Sequence, residues 1–144
     1  MPDKKRPLND RGERDALKMG KRLAKRLIKP DLILSSPAVR ALTTAEIIAR
    51  KLGYRRKSIA VDDRLYAAEA DDLLDVIRQL GDELGCVMLI GHNPELIELT
   101  QRLSSKITHL PTCAVAEFTF AAKSWSRIGR DKPAKVTLDH PKQS

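Results

Sequence analysis

The sequence predicts an α/β domain whose doubly wound, mostly parallel sheet is flanked by helices and has an antiparallel edge towards the C-terminus. Over the first hundred residues, short apolar runs between turn residues alternate with amphipathic segments, a pattern typical of strands joined by helical crossovers. After the fourth helical segment the pattern changes to successive β runs. A length of 144 residues suits one core, so we expect a single domain over 1–144, with a loose tail over 139–144.

Four helices are predicted from apolar residues at intervals of three and four, each preceded by a residue suited to a helix start. Asp10 and Glu13 have the spacing of a capping box, Ser36 and Pro37 suit an N-cap and a first helical position, and Asp71 suits a third cap. The first predicted helix covers 11–28, and the second runs from Pro37 to a stop at Gly53. The third is capped by Asp71 and includes Leu80, and the fourth follows Pro94 and includes Leu103.

Six strands are predicted from short runs rich in apolar and β-branched residues. The run 31–35 lies between breakers, as a buried parallel strand does. The run 85–90 is the strongest candidate, and we expect it to be the most buried strand of the sheet. The remaining candidates are 58–61, 114–120, 124–128 and 135–138.

The composition suits either a solvated basic surface or an anionic partner, and it argues against a nucleic acid or a membrane as that partner. A formal net charge of +8 suits phosphate esters, phosphoproteins or nucleic acid. Aromatic residues make up only 3% of the chain, which leaves no platform for stacking bases. The apolar runs are strand-sized, whereas crossing a bilayer takes roughly 20 apolar residues.

The amino terminus and the cysteines predict a cytoplasmic protein without a metal ion or other cofactor. Residues 1–6 are basic, but no apolar run follows them, as a secretory signal would require. Cys86 and Cys113 match neither a metal-site spacing nor a disulfide framework. We therefore expect both cysteines to be reduced and structural.

Two places at the carboxyl ends of predicted strands have residues suited to phosphate chemistry. Ligands of an open parallel sheet bind beyond these ends. Arg40 lies in the first turn of the second helix, where its guanidinium and nearby backbone N–H groups could bind a phosphoryl group together. His92 follows the strand 85–90 and would lie at the same edge.

The ordered motifs of the chain resemble the histidine-phosphatase superfamily, and within it the small phosphohistidine phosphatases. Residues 6–12 (RPLNDRG), 30–37 (PDLILSSP) followed by Arg40, and 91–94 (GHNP) look like successive family motifs. The resemblance implies a metal-independent phosphatase that uses a phosphohistidine intermediate. It implies that Arg40 binds the phosphoryl group, that His92 is the second active-site histidine, and that Asn93 beside it contacts substrate.

The chain departs from this family in one essential respect. The family's nucleophile is a histidine in an Arg-His-Gly or Arg-His-Ala motif that ends an amino-terminal central strand, and neither His109 nor His140 lies in such a motif. We therefore expect that the nucleophile and its strand are missing and that Met1 is internal, with the natural start about 15 to 20 residues upstream, enough for one strand and a loop. As written, the chain should be marginally stable and inactive unless it is extended.

A second departure bears on the substrate. Larger relatives that cleave phosphate esters have a glutamate acid near the position of Ala67, and Glu69 is a weak candidate to replace it. Phosphohistidine has a weaker P–N bond and an imidazole leaving group, so it needs this acid less. The sequence therefore predicts a phosphatase for phosphohistidine in proteins, or for a small phosphate compound. The alternative is a noncatalytic phosphate- or phosphoprotein-binding module, and a basic nucleic-acid-binding domain is a distant third.

Overall fold

The computed structural model describes residues 1–143 and confirms the predicted α/β fold class. The helices are α1 (Asp10–Lys25), α2 (Val39–Lys51), α3 (Ala70–Arg78) and α4 (Glu95–Leu103). The strands are β1 (Leu32–Ser35), β2 (Ile59–Val61), β3 (Val87–Ile90), β4 (Val115–Thr119) and β5 (Lys135–Asp139). Short 3-10 helices cover Asp3–Lys5, Arg56–Ser58, Asp63–Leu65 and Trp125–Arg127. Within the described residues, no helix has the length and hydropathy needed to span a bilayer.

The five strands form two separate sheets. Strands β2, β1 and β3 are parallel in that order, and β4 and β5 form an antiparallel pair. The predicted antiparallel segment is therefore a second sheet rather than an edge of the first. Within residues 1–143, β3 pairs only with β1, and β4 pairs only with β5, so each sheet has open strand edges.

The first sheet has a hydrophobic core on each of its faces. On one face, Ile33 of β1 packs with Ala45 and Ala49 of α2, and α1 packs on the outside of α2. On the other face, Leu34 packs in a cluster with Leu73 of α3 and Leu99 of α4. Because successive side chains of a strand point to opposite faces, β1 contributes to both cores.

The most buried strand is β1 and not the predicted β3. Three of the four residues of β1 are buried, whereas all four residues of β3 are half-buried. The apolar composition of β3 suggested a central strand, but β3 has a strand neighbour on one side only. Its side chains are therefore covered less completely.

The starts of three helices differ from the predicted ones, because neighbouring polar residues can compete to cap the same helix. The N-cap of α1 is Asn9, which accepts a hydrogen bond from the Gly12 N–H, rather than Asp10. The N-cap of α3 is Glu69 rather than Asp71. Helix α2 starts at Val39 rather than at Pro37, because Ala38 is still extended.

Two predictions for the C-terminal third are wrong. Residues 124–128 are not a strand, because Ser124 caps the 3-10 helix Trp125–Arg127. Residues 139–143 do not form a loose tail, since Arg22 of α1 forms an ion pair with Asp139 at 2.8 Å and also donates to the backbone carbonyl of His140. Ser144, the last residue of that predicted tail, lies outside the described residues.

The core beneath α3 supplies a stability prediction. Leu73 is 1% exposed, whereas Leu27, two residues beyond the end of α1, is 76% exposed. Leu73→Ala should lower the free energy of unfolding by about 2–5 kcal/mol, because it removes buried methyl groups and leaves a cavity. The matched change Leu27→Ala should have an effect within about 0.5 kcal/mol. Urea denaturation followed by circular dichroism measures both, and equal losses would contradict this core assignment.

Candidate active site

The site lies where the three parallel strands end. Arg40 is in the first turn of α2, which follows β1, and His92 follows β3 by two residues. Tyr66 comes after β2 and directly follows the 3-10 helix Asp63–Leu65. Because the strands are parallel and in register, these three segments lie at the same edge of the sheet.

His92 is anchored by a buried serine. Its Nε2 atom lies 2.7 Å from the hydroxyl oxygen of Ser36, a residue with no exposed surface. The same hydroxyl accepts a hydrogen bond from the Ala38 N–H at 3.2 Å, so its own proton is free to be donated to Nε2 of a neutral imidazole. In that tautomer the ring proton is on Nδ1, where it can be donated to another group.

Arg40 binds the carboxylate and the backbone of Asp3. Its Nη1 donates to the backbone carbonyl of Asp3 at 2.8 Å, and its Nη2 donates to the carboxylate oxygen Oδ2 at 3.1 Å. The Tyr66 hydroxyl donates to the same Oδ2 at 2.7 Å. An anionic oxygen of the chain is therefore held by a guanidinium and a phenol at the edge of the sheet.

Tyr66 connects the arginine side of the site to the histidine side. Its ring makes an edge-to-face contact with the His92 imidazole, with ring centroids 5.6 Å apart. The Lys4 ammonium lies 5.5 Å from the centre of the Tyr66 ring. Contacts thus run from Arg40 through Asp3 and Tyr66 to His92.

The electrostatics of this edge favour a neutral imidazole beside bound anions. Desolvation, together with the positive charge of Arg40, lowers the pKa of His92 below its ordinary value. The hydrogen bond from Tyr66, followed by the hydrogen bond and charge of Arg40, lowers the pKa of Asp3. At neutral pH the site therefore combines a neutral histidine and a guanidinium with an ionised carboxylate that the guanidinium binds. The guanidinium and the imidazole N–H are fixed donors of the kind that can stabilise charge on a phosphoryl group.

The other predicted site residues make different contacts. The side chain of Asn93 donates to the backbone carbonyl of Leu110 at 3.1 Å and accepts from the Ile97 N–H at 3.2 Å. These bonds fix the start of α4, and the predicted substrate contact of Asn93 stays a prediction. Glu69 is exposed at the start of α3, and its backbone N–H is bound by the carboxylate of Asp72 at 3.0 Å.

The remaining histidines are not part of the contacts around Arg40 and His92. His109 is exposed in the segment between α4 and β4. His140 follows β5, and its backbone carbonyl accepts from Arg22 of α1. Within residues 1–143, no three His, Cys, Asp or Glu side chains are grouped so that they could hold a metal ion.

Sequence reasoning missed three residues of this edge. The sequence pattern indicates only a helix cap at Ser36, although Ser36 directly follows β1 at the ligand edge. Tyr66 could have been found by the rule that identified Arg40 and His92, since it follows the parallel strand β2 closely. No pattern pointed to Asp3, because its position depends on how the amino-terminal segment packs against α2.

A family model and several relatives match this chain. The model described as histidine phosphatase superfamily (branch 1) matches residues 3–73. An uncharacterised chloroplastic protein of Arabidopsis thaliana is 29% identical over an alignment of 131 positions, and the match covers 85% of this chain and 60% of that protein. The chain thus spans about three fifths of the length of this relative.

Two solved structures are also similar to this chain. A protein assigned as the phosphohistidine phosphatase SixA of Agrobacterium tumefaciens is 30% identical, with a TM-score of 0.70, and the match covers 79% of this chain and 77% of that chain. The protein histidine phosphatase SixA in complex with tungstate is 24% identical, with a TM-score of 0.81, and the match covers 97% and 87% respectively. The second similarity supports the fold alone.

The surroundings of His92 predict a lowered pKa for its imidazole. Since desolvation and Arg40 lower its pKa, the imidazole should titrate below the ordinary value of about 6.5. The unfolded chain then binds this proton more tightly than the folded chain, so the contribution of His92 to the free energy of unfolding is fully present above about pH 6.5 and falls as the pH drops towards the folded pKa.

An NMR titration of the His92 ring protons measures this shift. Arg40→Gln should move the midpoint upwards without restoring it fully, because desolvation remains. Arg56→Gln should leave it unchanged, since Arg56 is an exposed residue near the amino end of β2, paired with Glu46. A midpoint at or above the ordinary value, or no response to Arg40→Gln, would contradict the site described above.

Proposed function

Because this chain belongs to the histidine phosphatase superfamily, we propose that it is a phosphatase acting on phosphohistidine in proteins or on a small phosphate compound. The observation that carries the proposal is the anion held by Arg40 next to His92 at the carboxyl edge of the sheet. A guanidinium fork binds phosphoryl oxygens strongly and with a defined geometry. The similarity to the Agrobacterium protein assigned as a phosphohistidine phosphatase supports phosphohistidine as the substrate class.

The proposed reaction has two steps that pass through a phosphohistidine on the enzyme. In the first, an imidazole nitrogen attacks phosphorus while the P–N bond to the substrate imidazole breaks. The attacking ring releases a proton to solvent, and the leaving imidazole takes up a proton from solvent. In the second, water attacks phosphorus, which releases phosphate and frees the histidine. Arg40 binds the phosphoryl oxygens in both steps, and His92 contacts them through the proton on Nδ1, where it stabilises the transition state. We propose no metal ion or cofactor for these steps.

The attacking histidine in this proposal is not among the 144 residues of the chain. We propose that it ends a strand that lies between β3 and β4, and two observations support this place. Strand β3, which has an open edge, is followed directly by the segment that contains His92. Within residues 1–143, both β3 and β4 have a strand neighbour on one side only. Burial raises the pKa of Cys86, the residue before β3, and the carboxylates of Asp31 and of Glu117 on β4 add to this effect, which suits a place for β4 on the open side of β3.

The loop after β2 favours a substrate that needs little help from a general acid. Ala67 and Ala68 have no proton to donate, and they line clefts of about 390 and 340 Å³ on the two sides of this loop. Glu69 lines the second cleft and remains the weak candidate for an acid.

We propose that residues 1–144 act as a single domain in the cytoplasm, with a phosphorylated protein or small phosphate as partner. Cys86 and Cys113 are both free, which suits a reducing compartment. The net charge of +8 would attract an acidic phosphoprotein, and this attraction should weaken as salt is added. Without a nucleophile, the same residues suit the second candidate function, a noncatalytic phosphate- or phosphoprotein-binding module.

Two forms of the protein decide between these functions. One is the 144-residue chain, and the other carries an amino-terminal extension with an apolar strand that ends in Arg-His-Gly. Phosphate release from a phosphohistidine protein is measured for both. Activity in the extended form alone supports the proposed phosphatase, whereas activity in neither form, with phosphate binding retained, favours the binding module. Loss of binding to phosphate in both forms would reject both functions.

In the extended, active form, Arg40→Ala should lower phosphatase activity at least about 100-fold, because the charged fork aimed at the phosphoryl group is lost. Arg56→Ala is the matched control, since it removes an exposed guanidinium near the amino end of β2, and its activity should stay within about threefold of the parent. If the two variants behave alike, Arg40 does not belong to the site.

A further inference from the structure

The carboxylate of Asp3 occupies the site in the way that a substrate oxyanion would. Arg40 uses two different amino groups to bind two oxygens of Asp3, one from the carboxylate and one from the backbone. A guanidinium binds a phosphoryl group in the same two-pronged manner. The carboxylate oxygen also accepts the Tyr66 hydroxyl, so the donors that hold this anion come from two elements.

Tyr66 lies outside the family motifs of this chain, but its position suits a group that binds an oxyanion. Its hydroxyl and the Nη2 atom of Arg40 converge on a single oxygen atom, at 2.7 and 3.1 Å. Its ring contacts the imidazole of His92, so the hydroxyl is held between the two predicted phosphoryl-binding residues. An oxygen of another anion at this point would meet the same two donors.

Resting on the proposed function, we propose that the Tyr66 hydroxyl is a third phosphoryl-binding group, and that the Asp3 carboxylate occupies its place until a phosphoryl group displaces it. Arg40 and Tyr66 then bind the incoming oxyanion with the donors that had bound Asp3. Asp3 in turn competes with the substrate and keeps both side chains in position while the site is empty.

The packing of the amino-terminal segment suits this displacement. Asp3 belongs to a three-residue 3-10 helix that has no buried residue, and its own side chain is 53% exposed. Segments with so little burial open at low cost. Arg6 lies 3.4 Å from the other carboxylate oxygen of Asp3, so the displaced carboxylate keeps a cationic neighbour.

Equilibrium binding of tungstate to the 144-residue chain, at constant ionic strength and pH 7.5, tests the proposal without requiring turnover. Asp3→Asn should tighten binding about fivefold or more, because the competing anion is removed. Tyr66→Phe, introduced into the Asp3→Asn protein, should weaken binding about fivefold or more, because a hydrogen bond to a charged group is lost. The second comparison isolates direct contact with the oxyanion from any effect of Tyr66 on Asp3.

Two control variants match these changes elsewhere in the chain. Asp131→Asn removes the same charge from an ion pair with Arg127 at 2.8 Å, and Tyr54→Phe removes a hydroxyl that donates to the Pro30 carbonyl. Both should bind tungstate within about twofold of the parent. If Asp131→Asn tightens binding as much as Asp3→Asn, net charge explains the effect and the proposal is overturned.

The remaining outcomes separate this inference from the proposed function. If Arg40→Gln abolishes tungstate binding while Tyr66→Phe has no effect in the Asp3→Asn protein, the oxyanion site stands and the role of Tyr66 is rejected. If Asp3→Asn weakens binding, Asp3 positions Arg40 rather than competing with substrate, and displacement is rejected. If Arg40→Gln leaves tungstate binding unchanged, the oxyanion site itself is rejected, and the proposed function fails with it.

Discussion

The parallel register of the three-stranded sheet determines where Ser36, Tyr66 and His92 lie and where the helix that carries Arg40 begins. Ser35, the last residue of β1, pairs with Val61 of β2 and with Ile90 of β3. All three strands therefore end at the same level, and the segments that follow them meet at one edge. A shift of one residue in either pairing would turn that strand's side chains to the opposite face. The same shift would separate Ser36 from His92.

The two cores maintain this register by covering both faces of β1. Ile33 points towards α2, and Leu34 points towards α3 and α4. The burial of Ser36 follows from the same packing, because Ser36 continues β1 and its N–H is bound by the Ile90 carbonyl at 2.9 Å. A buried hydroxyl needs hydrogen-bond partners, and the His92 ring and the Ala38 N–H supply them. The packing that buries Ser36 therefore also orients the ring of His92, the proposed second histidine.

The charges of the site and of the whole molecule have different effects. The chain carries a formal net charge of +8, which acts at long range on any phosphorylated partner. At the site, a single carboxylate is balanced by Arg40 and Tyr66, and the imidazole beside them is neutral at pH 7 because its pKa is lowered. The open edges of β3 and β4 leave backbone groups for another strand, and each such group costs about 1–3 kcal/mol when it is buried without a partner.

The sequence by itself determined the four helices, five of the six predicted strands, the fold class and two of the residues at the ligand edge. The breakers around 31–35 predict a strand, and the helical spacing of apolar residues after Arg40 predicts a helix. The apolar run before His92 predicts a second strand, and all three patterns are local in the sequence. Burial of β3 could not be predicted, because it depends on how many strand neighbours surround it rather than on its apolar composition. Strand register places Ser36 and Tyr66 at the site. The packing of the amino-terminal segment on α2 places Asp3 there. Such contacts join residues 37 or more positions apart, and no local pattern encodes them.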